Sequence, residues 1–284
     1  ERAGQEKAAC LAAWTGYLWM GAVFFAFCLF VVLDFWNLAT GVVATASGQD
    51  RSAWAIGARP AALLALGGAL LLSGYGVWEA TRFQTERIVL TSPKLSAPLR
   101  IVQISDVHVG FVVGTDCVGR IVAAVEAARP DLLVSTGDLV DAEIDSLAGP
   151  MERLRSLQPR LGKFAVTGNH EFYAGIDQAL AFTEQAGFTV LRGEGRTVGG
   201  VLNLAGVDDA TGISAGLAPA VGERDALSGL DGGLFTVLLR HRPEVPAEAA
   251  GLFDLQLSGH THQGQIFPFS LITRMVFPHH SGDY

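Results

Sequence analysis

From Leu11 to Leu33 the chain carries no charged residue, and a second uncharged run extends from Pro60 to Trp78. About 20 apolar residues are enough for a helix to cross the hydrocarbon core of a bilayer. Within that core the backbone has to satisfy its own hydrogen bonds, which leaves a single segment little choice but helix. The two runs therefore predict transmembrane helices at about residues 11–33 and 60–78, inside a membrane region 1–80. All five tryptophans lie in this part, and Trp36, Trp54 and Trp78 fall near the ends of the runs, as an interfacial aromatic belt requires. Gly67, Gly68, Gly74 and Gly76 dilute the second run, although glycine is common in membrane helices. The alternatives are two buried core helices, or a signal peptide for the first run; no small-residue cleavage pattern follows Leu33.

Charge gives the pair a direction. Arg2 and Lys7 precede the first run, Arg82, Arg87, Lys94 and Arg100 follow the second, and only Arg51 and Arg59 lie between. The positive-inside rule then places both flanks, and the domain that follows, on the cytoplasmic side of the cell membrane. The chain opens on Glu1 rather than Met, which leaves the number of spans open. Of 20 basic and 28 acidic residues, five of each lie at or before Arg82, so the later part carries the whole net charge of −8. It has no Lys/Arg block. That argues against a nucleic-acid groove and against a module that binds phosphoinositide-like headgroups, since both lean on basic clusters. Cys10 and Cys28 lie in or beside the first run and Cys117 is alone in the large domain, which allows no disulfide framework there and agrees with a reducing compartment.

Residues 81–99 read as a connector, with a strand-like Arg87-Ile88-Val89-Leu90. From residue 100 to 284 short β-rich runs alternate with helical stretches. The strands are expected at 101–104, 132–134, 164–166, 188–191, 234–239 and 252–257, with a hairpin through Gly199-Gly200. Helices are expected at 117–128, 151–157 and 176–186. Strands alternating with helices mean an α/β layered fold with much parallel sheet.

The strand ends share a chemistry. After the first comes Asp106-Val107-His108, after the second Gly137-Asp138, and after the third Gly168-Asn169-His170-Glu171. After 234–239 comes Arg240-His241-Arg242-Pro243, and after the last Gly259-His260-Thr261-His262. Five of the seven histidines fall in these turns. Ligands of open α/β sheets bind outside the carboxyl ends of the strands. Singly, Asp138 could be a helix N-cap, Asn169 a turn residue and His241 a surface histidine; jointly, five strand ends point to one site. In extended backbone the i, i+2 spacing of Asp106/His108 and of His260/His262 turns both members to one side. Carboxylate, amide oxygen and imidazole without cysteine suit divalent Mn, Fe, Zn or a similar ion, and more than four ligands suit two ions sharing a carboxylate.

These motifs, in this order, resemble the calcineurin-like metallophosphoesterase superfamily over residues 87–270, and within it the bacterial membrane-tethered branch. The resemblance implies a four-layer αββα sandwich preceded by the transmembrane helices. It implies that Asp106, His108 and His262 hold one metal, that Asn169, His241 and His260 hold a second, and that Asp138 bridges them. A metal-bridging hydroxide would attack phosphorus, while His170, with Asn169, orients the phosphate and protonates the leaving oxygen. The two cofactor ions are expected to be Mn, with Fe, Zn, Mg or Co as alternatives. The substrate is expected to be a phosphomonoester, phosphodiester or pyrophosphate, on a small molecule or a lipid, and the tether favours a lipid-borne one such as a nucleotide-linked lipid. Another class of reading is a regulatory or scaffold membrane protein with a vestigial metal site. Gln263-Gly264-Gln265 departs from the Gly-Gly-Gln common in the family and could narrow the substrate mouth. Arg240 and Arg242 could contact substrate phosphate, although solvated surface positions suit them better, and Asp208-Asp209 reads as structural. Relatives continue through further strands beyond Tyr284, so the domain is expected to be incomplete at its C-terminus.

Overall fold

The computed structural model describes residues 2–141, 147–266 and 269–282, and for residues 2–6 the backbone alone. The chain divides into two compact units, Glu1–Thr85 and Glu86–Tyr284.

The first unit is a helical pair. Helix α1 spans Arg2–Ser47 and α2 spans Ala58–Ala80. Both are long and apolar enough to cross a membrane. Helix α1 runs past the expected end at Leu33, through Asp34, and its 46 residues extend about 69 Å at 1.5 Å per residue, more than twice a hydrocarbon core. Where the two helices pack, small residues let them approach: Ala65 and Ala69 are buried, and a Cβ on Gly68 would meet Leu29. The connection is pinned by polar groups. Asn37 exchanges two hydrogen bonds with the backbone of Ile56, and the Trp36 indole donates to the Trp54 carbonyl.

The second unit holds two four-stranded sheets. The first contains β1 (Ile101–Ile104), β2 (Leu132–Ser135), β3 (Lys163–Ala165) and β4 (Thr189–Val190), in that order and all parallel. The second contains β5 (Glu194–Val198), β6 (Leu202–Gly206), β7 (Phe235–Leu239) and β8 (Leu255–Leu257). There β5 and β6 form the expected hairpin through Gly199 and Gly200, both at positive φ, and β6, β7 and β8 are parallel.

Side-chain alternation builds the layers. In β2, Leu133 faces a core shared with helices α3 (Thr115–Ala128), α4 (Ala148–Arg155) and α6 (Ile176–Gln185). Its neighbours Leu132 and Val134 face the other way, into a core with Leu202 and Leu204 of β6 and Val237 and Leu239 of β7. On the far face of the second sheet, Ala205 and Leu238 pack on Ala226 and Leu227 of α8 (Glu223–Leu227). The result is helix, sheet, sheet, helix. Helix α3 shows why such an element forms: Val118, Val122 and Val125 repeat at helical spacing, all are buried, and Arg129 in a left-handed conformation before Pro130 ends it.

Among the described residues none pairs with the strand-like run 87–90, and Ile88, Val89 and Leu90 are exposed; β propensity without a neighbouring strand satisfies no backbone group. Two short helices complete the unit around the site, α5 (Asn169–Ala174) and α7 (Ala210–Ser214), with α9 (Phe269–Val276) near the C-terminus.

Candidate metal centre

Every predicted ligand lies just beyond the carboxyl end of β1, β2, β3, β7 or β8, and bonds between the two sheets draw those ends together. Gln103 of β1 donates to Thr136 Oγ1 (2.9 Å) and to the Ser258 carbonyl (2.8 Å). The His260 amide donates to both carboxylate oxygens of Asp106. Thr167, after β3, donates to Asp208, after β6.

The candidate ligand atoms fall into overlapping groups, each within 4.8 Å: Asp106, His108 and His262; Asp138, His241 and His260; and His108, Asp138 and His170. Asp138 Oδ2 is 3.2 Å from His241 Nε2 and 3.8 Å from His108 Nε2, so one oxygen faces both sides of the cluster. His262 Nε2 lies 3.4 Å from Asp106 Oδ1 and 3.3 Å from His108 Nε2. His260 Nδ1 lies 3.1 Å from His241 Nε2, which is itself 3.2 Å from Asn169 Oδ1. The histidines two residues apart thus sit in different groups. Oxygen and imidazole lone pairs converge here, in places nitrogen on nitrogen, and a divalent cation satisfies such a set where single protons cannot reach every member.

The backbone explains how neighbours reach different groups. Asp106, His108, Asp138, His260 and His262 all have φ between +46° and +73°, a region non-glycine residues seldom occupy. The extended-strand geometry expected for the two i, i+2 pairs is therefore corrected. The strands stop before the ligands, and left-handed turns aim each side chain separately. Such strain persists only where the surroundings over-determine it. Here glycine makes room: a Cβ on Gly137 would strike Gly168 and His241, and one on Gly259 would strike Ser105 and Asp106.

Glu171, to which the sequence alone assigns no role, splints the site. Its buried carboxylate accepts hydrogen bonds from the amides of Asp138, Leu139, Val140 and Gly168, joining the turns after β2 and β3. Burial, with the nearby Asp138 charge, pushes its pKa up, while these four donors favour the carboxylate. Its one sequence signal is its position three residues after Gly168, where a helix-start carboxylate reaches back to free amides.

Electrostatics follow burial and pairing. Burial disfavours a charged Asp138, but the hydrogen bond and charge of His241 and the His170 amide hold its carboxyl down at about 2. Burial likewise disfavours a charged His241, yet Asp138 lifts it to about 9. His241 Nδ1 donates to the Thr136 carbonyl (2.8 Å), which leaves Nε2 as the nitrogen turned into the cluster. His108 is lowered chiefly by burial, and His260 by burial and then by the charge of His241. His170 is raised, first through its hydrogen bond to Asp141 at 3.0 Å.

The arginines flanking His241 lie apart from these groups. Arg240 pairs with Glu223 (2.9 Å) and Glu244 (3.6 Å) and lines a separate cavity of about 250 Å³ with Asp208 and Glu223. Arg242 pairs with Asp209 at 2.8 Å, and Asp209 caps α7 by accepting from the Thr211 amide. Neither is the solvated surface arginine expected from sequence, because each meets an acidic partner from a distant segment.

A layered α/β domain with such a cluster at its strand ends has the layout of a metal-binding enzyme. The calcineurin-like phosphoesterase family matches residues 99–264, and the chain belongs to that family. An "uncharacterized metallophosphoesterase" of Aquifex aeolicus is 39% identical over 74% of this chain and 81% of its own length. One of Helicobacter pylori is 36% identical over 78% of this chain and 61% of its own. A "transmembrane protein with metallophosphoesterase domain" of Danio rerio is 30% identical over 86% and 59%. The chain thus spans about three fifths of the latter two relatives. The two membrane-length helices and the transmembrane relative point to membrane association. Among solved structures, a 5′-nucleotidase precursor from Thermus thermophilus is 18% identical with a TM-score of 0.35, over 58% of this chain and 42% of that one, too low to carry a fold argument.

Proposed function

We propose that the chain is a membrane-anchored phosphoesterase with two metals, hydrolysing a phosphomonoester, phosphodiester or pyrophosphate, with its catalytic domain on the cytoplasmic side. The observation that carries this is Asp138, whose Oδ2 faces His241 on one side and His108 on the other. Asp106, His108 and His262 would hold one cation and Asn169, His241 and His260 the other, with Asp138 shared between them. When bound, two such cations stabilise charge on the phosphoryl oxygens and lower the pKa of water at the site.

The chain's own residues do the rest. Asp138 is kept in place by the His170 amide (2.9 Å to Oδ1) and by Glu171 on its own amide. Asn169 presents its amide oxygen beside His241 and helps position the phosphate. A ring nitrogen of His170 also lies within 4.8 Å of ligand atoms on His108 and Asp138. Its Nδ1 is engaged by Asp141, which favours the imidazolium, so we assign it the proton given from Nε2 to the leaving oxygen. The oxygen and imidazole set suits Mn, with Fe, Zn, Mg and Co as competitors.

The test uses full-length protein reconstituted in membranes and loaded with Mn. About two ions per chain by mass spectrometry, and hydrolysis of bis-p-nitrophenyl phosphate, are expected. Asp138→Asn should lower turnover by about a hundredfold or more, since it weakens both ion positions together. Full activity in that variant would remove the bridging role, and no metal-dependent turnover in the loaded wild type would remove the enzyme reading of this chain.

A further inference from the structure

Helix α9 has its polarity reversed. Its half-buried residues are Ser270 and Thr273, which pack on the Gly264 turn so closely that a Cβ on Gly264 would touch both. On the opposite arc Leu271, Ile272, Met275 and Val276 are all more than half exposed, Met275 at 84%. A surface helix in water turns its apolar stripe inward, as α3 does. This helix is also firmly seated. Its polar side rests on the loop that carries His262, Phe277 at its end packs edge-on against the His260 ring at 5.4 Å, and Thr261 donates to the His280 carbonyl. The outward aliphatic arc is therefore held beside the metal centre.

We propose that α9 lies in the interfacial layer of a bilayer and presents the metal centre to a phosphoester anchored in that bilayer, so that the substrate class is a lipid-linked phosphoester. This rests on the membrane-anchored phosphoesterase reading. A bilayer is the occupant because the chain carries two membrane-length helices of its own, which keep the tethered domain at a membrane while leaving its orientation to be set by something else. The arc consists of Leu, Ile, Met and Val, and Leu, Ile and Val enter a bilayer favourably. Arg274 is the helix's one basic residue, so adsorption is apolar and depends little on anionic lipid.

The experiment uses the full chain in phosphatidylcholine nanodiscs, with Cys10, Cys28 and Cys117 replaced by Ser and an environment-sensitive fluorophore on Met275→Cys. Doxyl-labelled lipid should quench that fluorophore and leave one on exposed Glu184→Cys unaffected. In parallel, Ile272→Glu and Met275→Glu are assayed on soluble bis-p-nitrophenyl phosphate and on hexadecyl p-nitrophenyl phosphate embedded in the same nanodisc. Turnover of the soluble ester should stay within about twofold, while that of the anchored ester falls about tenfold or more. Equal loss on both esters, or no loss on the anchored one, overturns the proposal. So does an unquenched fluorophore: one shielded at every protein concentration assigns the face to the chain expected beyond Tyr284, and one shielded only as protein concentration rises assigns it to a second copy. If wild type cleaves neither ester the phosphoesterase reading fails, and the quenching still decides where α9 lies.

Discussion

The two halves of the metal centre are built differently. Asp138 and His241, at 2% and 1% exposure, sit where the two sheets meet, with His241 hydrogen-bonded behind to the Thr136 carbonyl. On the other side His262 has a side chain 37% exposed, on a turn where His262 and Gln263 both take positive φ. Buried ligands with a fixed second partner are pre-organised, and exposed ligands on a turn have to be ordered by the ion. The buried half should therefore bind its cation more tightly and release it more slowly. The lesson is that two ions sharing one carboxylate need not be equivalent.

Glu171→Ala should erase the difference by damaging both halves. It orphans four amides that hold Asp138 and the turn after β3. Loss of stability on the order of 3–5 kcal/mol is expected, read from denaturant unfolding, with Glu171→Gln intermediate. A smaller loss than a typical core truncation would show that the splint is dispensable.

His241→Ala and His262→Ala sharpen the comparison directly. After dialysis against a weak chelator, His241→Ala should retain about one ion per chain or fewer, whereas His262→Ala should keep its buried-side ion and lose affinity at the other by about 10–100-fold. Equal retention in the two variants would mean that burial does not grade the sites.

Acidity separates the halves more gently. In metal-depleted protein His241 is protonated up to about pH 9, because the Asp138 carboxylate beside it outweighs burial. A cation entering the buried half must displace that proton, so its apparent affinity should rise about tenfold per pH unit from 7 to 9. His108, lowered by burial, is already neutral at pH 7, and the exposed half should vary less. Stability linkage has the opposite sign. The folded pKa of His241 lies above its ordinary value of 6.5, so metal-depleted protein has this contribution in full below about 6.5 and loses it as pH rises towards 9. Titration calorimetry and unfolding at pH 7, 8 and 9 check both slopes.

The smallest effect is expected from Arg240→Ala. Its guanidinium is engaged by Glu223 and Glu244, so turnover should change by less than about threefold. A rise in KM of tenfold or more would restore it as a phosphate contact.

Much of this architecture was legible in the chain because it repeats a local rule. A short apolar run buries, the strand stops at Gly or a small residue, and the polar residues that follow stand at its carboxyl end; Asp106, Asp138, Asn169, His241 and His260 could all be read that way. Glu171 escapes that rule because its partners are backbone amides, most of them from another turn, which leave no mark on residue type. Arg240 and Arg242 read as solvated from sequence because Glu223 and Asp209, their partners, are distant along the chain.

By itself the sequence determined which stretches are apolar enough for a bilayer, which alternate into strands, and which side chains can bind a metal, since these depend on composition and short-range spacing. Spacing alone turns His260 and His262 the same way; the family resemblance implies that they part, and the tertiary structure gives the reason, standing His260 with His241 and Asp138 and His262 with His108 and Asp106. Left-handed backbone at both histidines breaks the strand rule that would have turned them the same way. It also decided which way α9 faces. Periodicity shows that a helix has an apolar side, but not whether that side meets the protein or the surroundings.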